Sequence, residues 1–211
     1  MAQQAQLPTS ETSPRFRNSY PHVFKPSLNK LSGKNEYSTQ ALFEKGADLS
    51  KMKNAIMNAC INKWGADRTK WPKNLRSPFK SQQVLIESAQ KKDQKHDHLS
   101  PDAVFVTFKS PELDTKGNKK PAPVIVGKNP KDVIVEESKF YAGCWAKCNF
   151  NAFAYDKGGN TGVTLYINAL QFVGDAEPFG GRPNPESAFE AIPEDEISSD
   201  DAGADATSMF S

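Results

Sequence analysis

Between Phe140 and Asp156 the chain alternates two kinds of residue for about eight cycles, the period of a β-strand. Ala142, Cys144, Ala146, Cys148, Phe150, Ala152 and Ala154 fall on one face. Tyr141, Gly143, Trp145, Lys147, Asn149, Asn151, Phe153 and Tyr155 fall on the other. Asp156-Lys157-Gly158-Gly159-Asn160 has the composition of a turn, and Thr161 to Val173 repeats the alternation with Val163, Leu165, Ile167 and Ala169 opposite Thr164, Tyr166 and Asn168. The chain is therefore constrained to a long β-hairpin with two unlike faces. The small, aliphatic face must pack on a core. The other mixes rings, amides and a lysine. As core it would bury polar groups in need of partners, and as plain surface it would expose a large apolar patch. A groove for unpaired nucleotides satisfies both demands, because rings stack on bases, amides bond base edges or sugars, and a cation meets phosphate.

The rest of the chain places this hairpin in one domain with tails. Residues 1–14 are rich in Gln, Ser, Thr and Pro without an apolar period, which predicts a disordered N-terminal arm. Tyr20 to Leu31 reads as a strand whose Pro21 and Pro26 require an edge or a bulged pairing. Leu49, Met52, Ile56, Ala59/Cys60 and Trp64 recur at helical spacing over 48–64, with Gly65 as the stop. Residues 66–80 are irregular and basic, 81–95 predict a second helix around Val84, Leu85 and Ala89, and Ala103–Lys109 and Val124–Val126 predict strands. Lys131 to Val135 reads as a further strand or a connector. The domain is expected over 15–182 and a disordered acidic tail over 183–211.

Charge is divided along the chain. Residues 186–211 hold eight acidic side chains and no basic one, and end in Ser208-Met209-Phe210-Ser211. All 27 Lys and Arg lie before that segment with the other 17 acids, a formal charge of +10. Residues 15–95 alone carry 17 basic and 6 acidic side chains. Basic residues spread among aromatics suit a flexible polyanion better than the single basic helix of a duplex reader. The tail can compete for the same groove, and Asp200, Asp201, Asp205 and Phe210 are its candidate contacts to replication or recombination proteins.

Other chemistries find little support. No Gly-rich phosphate loop, Gly-x-Ser-x-Gly elbow or Cys/His pair near a turn is present. His96-Asp97-His98 lacks cysteine partners nearby and reads as a polar loop, so neither metal nor cofactor is expected. Cys144 and Cys148, four apart on one strand face, would lie roughly 13 Å apart, too far for a disulfide. With Cys60 they read as reduced thiols of a cytoplasmic protein. No apolar run long enough to span a membrane occurs, and residues 1–8 lack a secretory pattern.

Five segments, Phe140-Tyr141-Ala142-Gly143-Cys144, the strand from Asn149 to Tyr155, Gly159-Asn160-Thr161-Gly162, Leu170-Gln171-Phe172-Val173-Gly174-Asp175 and Pro178-Phe179-Gly180-Gly181, resemble a bacteriophage family of OB-fold single-stranded-DNA-binding proteins. The resemblance covers about residues 15–185. It implies a mainly β fold, a five-stranded OB barrel with an inserted α-helix and the long C-terminal hairpin. It also implies single-strand binding in phage DNA replication, recombination or repair, without catalysis. Trp145, Phe153, Tyr155, Tyr166 and Trp71 are the stacking candidates; Lys147, Lys109, Arg68, Lys70, Lys73 and Arg76 are the phosphate candidates. Residues 81–100 run longer than the family pattern. Two competing readings remain: a virion or replisome interaction protein using the hairpin face as a subunit interface, homodimeric or otherwise, and a metal-dependent nuclease.

Overall fold

In a computed structural model, residues 6–30, 32–94 and 96–180 are described. They form eight strands and two helices. The strands are β1 Ser10–Thr12, β2 Phe16–Asn29, β3 Lys34–Leu42, β4 Lys80–Ser81, β5 Val104–Pro111, β6 Val124–Val126, β7 Trp145–Lys157 and β8 Asn160–Gly174. The helices are α1 Ser50–Trp64, between β3 and β5, and α2 Gln83–Gln90. β2, β3, β5, β8 and β7 close a ring, because β7 pairs with both β8 and β2. All pairings around the ring are antiparallel except β5 with β8. This is the expected five-stranded barrel. Closure leaves no free edge within the ring.

The core follows from the hairpin's alternation. Ala146, Cys148, Phe150, Ala152 and Ala154 all point inward and are buried, as are Val163, Leu165 and Ile167. They meet Phe16, Phe43, Val106 and Phe108, with Phe16 edge-on to Phe43 at 5.9 Å between ring centroids. α1 contributes Met52, Ala55, Ala59 and Cys60 to the same core. Asp48 accepts the Ser50 N–H at the helix start, and Gly65, at φ +86°, ends it. All three cysteines are buried and unpaired by disulfide, and burial pushes the Cys148 thiol well up.

Several local expectations need correction. Asn168 is an extra residue in β8: Ile167 pairs with Phe150 while Ala169 pairs with Asn149. This bulge shifts the inward phase, so Leu170 is buried and Ala169 is not. β2 begins at Phe16, earlier than Tyr20, and its register shifts between Ser19 and His22 and again before Ser27, where Pro21 and Pro26 withhold N–H donors. Residues 34–42, unassigned from sequence, form β3 between β2 and β5. The second helix stops at Gln90, and residues 131–135 form a connector with one bridge, Val126 to Val133.

The expected disorder of the N-terminal arm is corrected over residues 6–14; residues 1–5 lie outside the described residues. β1 pairs with the edge of β7, Ser10 opposite Asn151. Leu7 and Pro8 are held by Asn62 and Asn58 of α1. The arm is polar because it is ordered by strand pairing and side-chain hydrogen bonds, not by an apolar face. Such contacts leave no hydrophobic period to read.

At Gly143 the backbone turns with φ +108°, and a Cβ would collide with the Glu177 carbonyl oxygen and Pro178 Cα. At Gly158, φ +58°, a Cβ would meet open space. Gly143→Ala should cost at least about 1–3 kcal/mol of stability, and Gly158→Ala only about 1 kcal/mol. Thermal denaturation of the two variants side by side checks this ordering.

Candidate nucleic-acid interface

The outward face of the barrel is built by register. His22 of β2 pairs with Ser38 of β3, Ser38 with Lys109 of β5, Lys109 with Tyr166 of β8, and Tyr166 with Asn151 of β7. Paired residues share a face, so these five form one row across the sheet. Phe153 lies diagonally from Tyr166, with ring centroids 5.9 Å apart and planes at 51°. Phe153 is 51% exposed, an open ring. Tyr155 follows on the same strand, opposite Gly162, where its hydroxyl fills the space a Cβ would need. Three of the five stacking candidates, Phe153, Tyr155 and Tyr166, therefore form one patch.

Trp145 is elsewhere. Eight residues of strand separate it from Phe153, about 26 Å. Its ring lies beneath two guanidinium groups, Arg15 at 4.5 Å and Arg17 at 5.3 Å from the centroid. Arg17 also overlies Phe179 at 4.7 Å and donates to the carbonyl oxygens of Gly143 and Glu177. Between the two regions, the amides expected to meet bases are already engaged. Asn151 accepts from Thr9, Asn149 donates to Thr12, and Asn168 donates to Asn149 and Ser10. β1 thus interrupts the hairpin's aromatic face. Trp71 packs near Trp64, 6.3 Å between centroids, and its indole N–H donates to the Gly65 carbonyl.

The cations divide in the same way. Asn74 bonds Gly159 and Thr161, and Arg76 bridges to Gly162, so the segment carrying Lys73 and Arg76 docks on the hairpin tip beside Tyr155. Neither Lys73 nor Arg76 has an ion-pair partner among the described residues. Lys109 lies in the row itself, but Glu36 pairs with it at 3.6 Å. Tyr166 is raised from its ordinary value, first by burial and then by the nearby Glu36 and Tyr155. Arg68 leans on Trp71 and Lys70 pairs with Asp67, further from the patch. Lys147 pairs in register with Gln171 on the distant half of β7.

Arg15, Arg17, Tyr20, Glu36, Phe179 and His98 are not among the binding candidates drawn from sequence. Arg15-Phe16-Arg17 carried a usable signal, two cations flanking a buried ring in a strand. The others depend on contacts distant in sequence. His98 stacks on Phe179 at 3.6 Å with planes 14° apart. The described residues contain no group of three or more His, Cys, Asp or Glu placed to hold a metal ion. No helix among them is long and apolar enough to cross a membrane. Asp200, Asp201, Asp205 and Phe210 lie outside the described residues.

A family model described as the single-stranded-DNA-binding protein of Enterobacter phage Enc34 matches residues 11–202. The chain belongs to this family. Its fold is similar to that of the Enc34 protein in complex with single-stranded DNA, with TM-score 0.57 at 16% identity over 80% of this chain and 88% of that one. The Enc34 protein in another structure gives TM-score 0.57 at 16% identity, over 85% and 89% of the two chains. Gp2.5, a single-stranded-DNA-binding protein encoded by bacteriophage T7, gives TM-score 0.56 at 16% identity over 93% of this chain and 98% of that one. No curated protein matches the sequence.

Burial, then the neighbouring His96 and Arg17, pushes His98 down to about 4, against a smaller opposing effect of Asp97. The folded state then resists protonating this ring while the unfolded chain accepts a proton near 6.5. The protein should lose stability as pH falls from about 6.5 towards 4, and His98→Gln should flatten that slope. Denaturant unfolding across this range, with NMR titration of the His98 ring, measures it.

Proposed function

We propose that the protein binds single-stranded DNA across the outer face of β7, β8, β5 and β3 during phage DNA replication, recombination or repair, with little base preference. The convergence of Phe153, Tyr155 and Tyr166 beside Lys73 and Arg76 carries this reading. Flat side chains accept any base, and the cations Lys73 and Arg76 at the rim meet phosphate. Lys109 supports the row through its pairing with Glu36 and adds less free charge than sequence suggests. Trp145, Lys147, Arg68, Lys70 and Trp71 would contact only a strand that continues around the barrel. Membership of a family described by single-strand binding agrees with this assignment. The acidic residues beyond 186 would compete with DNA for the basic surface, and Phe210 with Asp200, Asp201 and Asp205 would then engage partner proteins.

Phe153→Ala and Tyr166→Ala should each weaken binding by about 1–3 kcal/mol in fluorescence titration with oligo-dT. A matching loss with duplex DNA, or none with oligo-dT, would contradict the assignment. The affinity should fall with salt at a slope near −0.7 per phosphate neutralised, and the double variant Lys73→Ala, Arg76→Ala should reduce that slope by about 1.4. Removal of residues 186–211 should tighten binding most at low salt; unchanged affinity there would exclude competition by the tail.

A further inference from the structure

α2 and the loop after it stand over β2 and leave a cleft of about 480 Å³. This lies within the range of sites that hold small organic molecules, about 300–1,000 Å³. Leu85, Ala89 and Leu99 line it with apolar surface. The rings of Tyr20 and Phe179 line it too, as does His98, stacked on Phe179. Gln82 holds the excursion in place: its amide donates to the carbonyls of Phe43 and Val104 and accepts the Ser100 N–H. The cleft is therefore fixed to the barrel by a buried side chain at the start of α2.

Three observations bear on what it takes. First, it adjoins the proposed DNA path. His22 lines the cleft and is the end of the row Tyr166–Lys109–Ser38–His22. Three inter-strand steps span about 14 Å, so a strand lying across the row arrives at the cleft. Second, Tyr20 is 60% exposed and stands at φ +47°, a left-handed conformation that costs a bulky residue energy. The fold holds an exposed aromatic ring at the cleft where glycine would relieve the backbone. Third, the charge suits a polyanion's backbone. Lys92 lines the mouth without an ion-pair partner among the described residues, and the one carboxylate in the lining, Glu137, faces Lys25 at 3.9 Å. The imidazole of His98, stacked on Phe179, is neutral near pH 7 and adds an uncharged ring to the lining.

We propose that this cleft is a nucleobase slot, receiving an unpaired base of the strand as it leaves the outer sheet, with the ring of Tyr20 against the base and Lys92 at its phosphate. This rests on the reading that the sheet binds single-stranded DNA, and extends the path beyond the hairpin. It also gives a role to the stretch after β4, whose Leu85, Ser88, Ala89, Lys92, Gln94 and Leu99 line the slot.

Fluorescence polarisation with labelled oligo-dT of increasing length tests the slot in the full chain. Tyr20→Gly removes the ring while relaxing the backbone, so its folding is not at risk. Ser88→Trp, at an exposed position of α2, fills the mouth. Phe153→Ala serves as the sheet control. Both slot variants should match wild type on the shortest oligonucleotides that bind and fall behind on longer ones, by about 5- to 150-fold. Phe153→Ala should weaken every length. Wild-type affinity of both slot variants at all lengths, with Phe153→Ala still weakened, would overturn the slot and leave the sheet reading standing. No binding by wild type at any length would overturn both. Tighter binding by the slot variants, abolished when residues 186–211 are removed, would mean that the cleft holds the chain's own acidic end, and would overturn the nucleobase assignment.

Discussion

Pairing of β7 with β8 is the contact on which the rest of this molecule depends. Thirteen register pairs run from Trp145 opposite Gly174 to Lys157 opposite Asn160. β8 then presents its other edge to β5 and β6, and β7 presents its other edge to β1 and β2. Within the ring, β2 and β5 are thus positioned directly by this hairpin, and β3 through them. Its inward residues are small, Ala146, Cys148, Ala152 and Ala154, which lets α1 approach the strand and lets Phe108 and Phe150 meet at 5.4 Å. Larger side chains at those alanines would overfill a core packed near crystal density. The hairpin's inner face sets the barrel's size.

The same alternation explains what the sequence alone makes legible. A period of two over a long stretch marks a strand whatever its neighbours, and a period of 3.6 marked α1 just as well. Both are local properties. β3 was missed because Lys34, Asn35 and Glu36 begin it and its inward residues, Tyr37, Thr39 and Ala41, include a polar one. Thr39 is tolerated inside because it donates to Asn18 and approaches Ser19, partners about twenty positions away. The arm was misread for a similar reason: its partners are Asn58, Asn62 and the edge of β7. The bulge at Asn168 left only a faint mark, the substitution of Leu170 for Ala169 as the apolar member of its pair.

The candidate surface was legible in part, and the division has a physical origin. Residues on one face of one strand share a side of the sheet but need not share a site, since a strand this long curves around the barrel. Trp145 and Phe153 have the same parity and belong to different neighbourhoods. Trp145 is clasped by Arg15 and Arg17, and the guanidinium of Arg17 serves four groups at once, two rings and two carbonyls. Lysine could not replace it, because a single ammonium lacks the planar fork and the face that stacks on rings. Arg17 thereby joins the start of β7 to the segment ending at Phe179, and Trp145 belongs first to that joint.

On the proposed single-strand path, charge and ring stacking would divide the work of binding between them. Lys109, central in the row, is balanced by Glu36, so the middle of the sheet is close to neutral. Lys73 and Arg76, without ion-pair partners among the described residues, stand at the rim against the hairpin tip. A rim of charge around a nearly neutral aromatic floor attracts a polyanion from a distance within the Debye length, about 8 Å at physiological salt. It leaves the close contacts to stacking, which salt does not screen. The electrostatic part of the affinity would fade as salt rises while the aromatic part persists. On the proposed reading, that separation would let the protein grip a strand firmly with little base preference and still exchange along it.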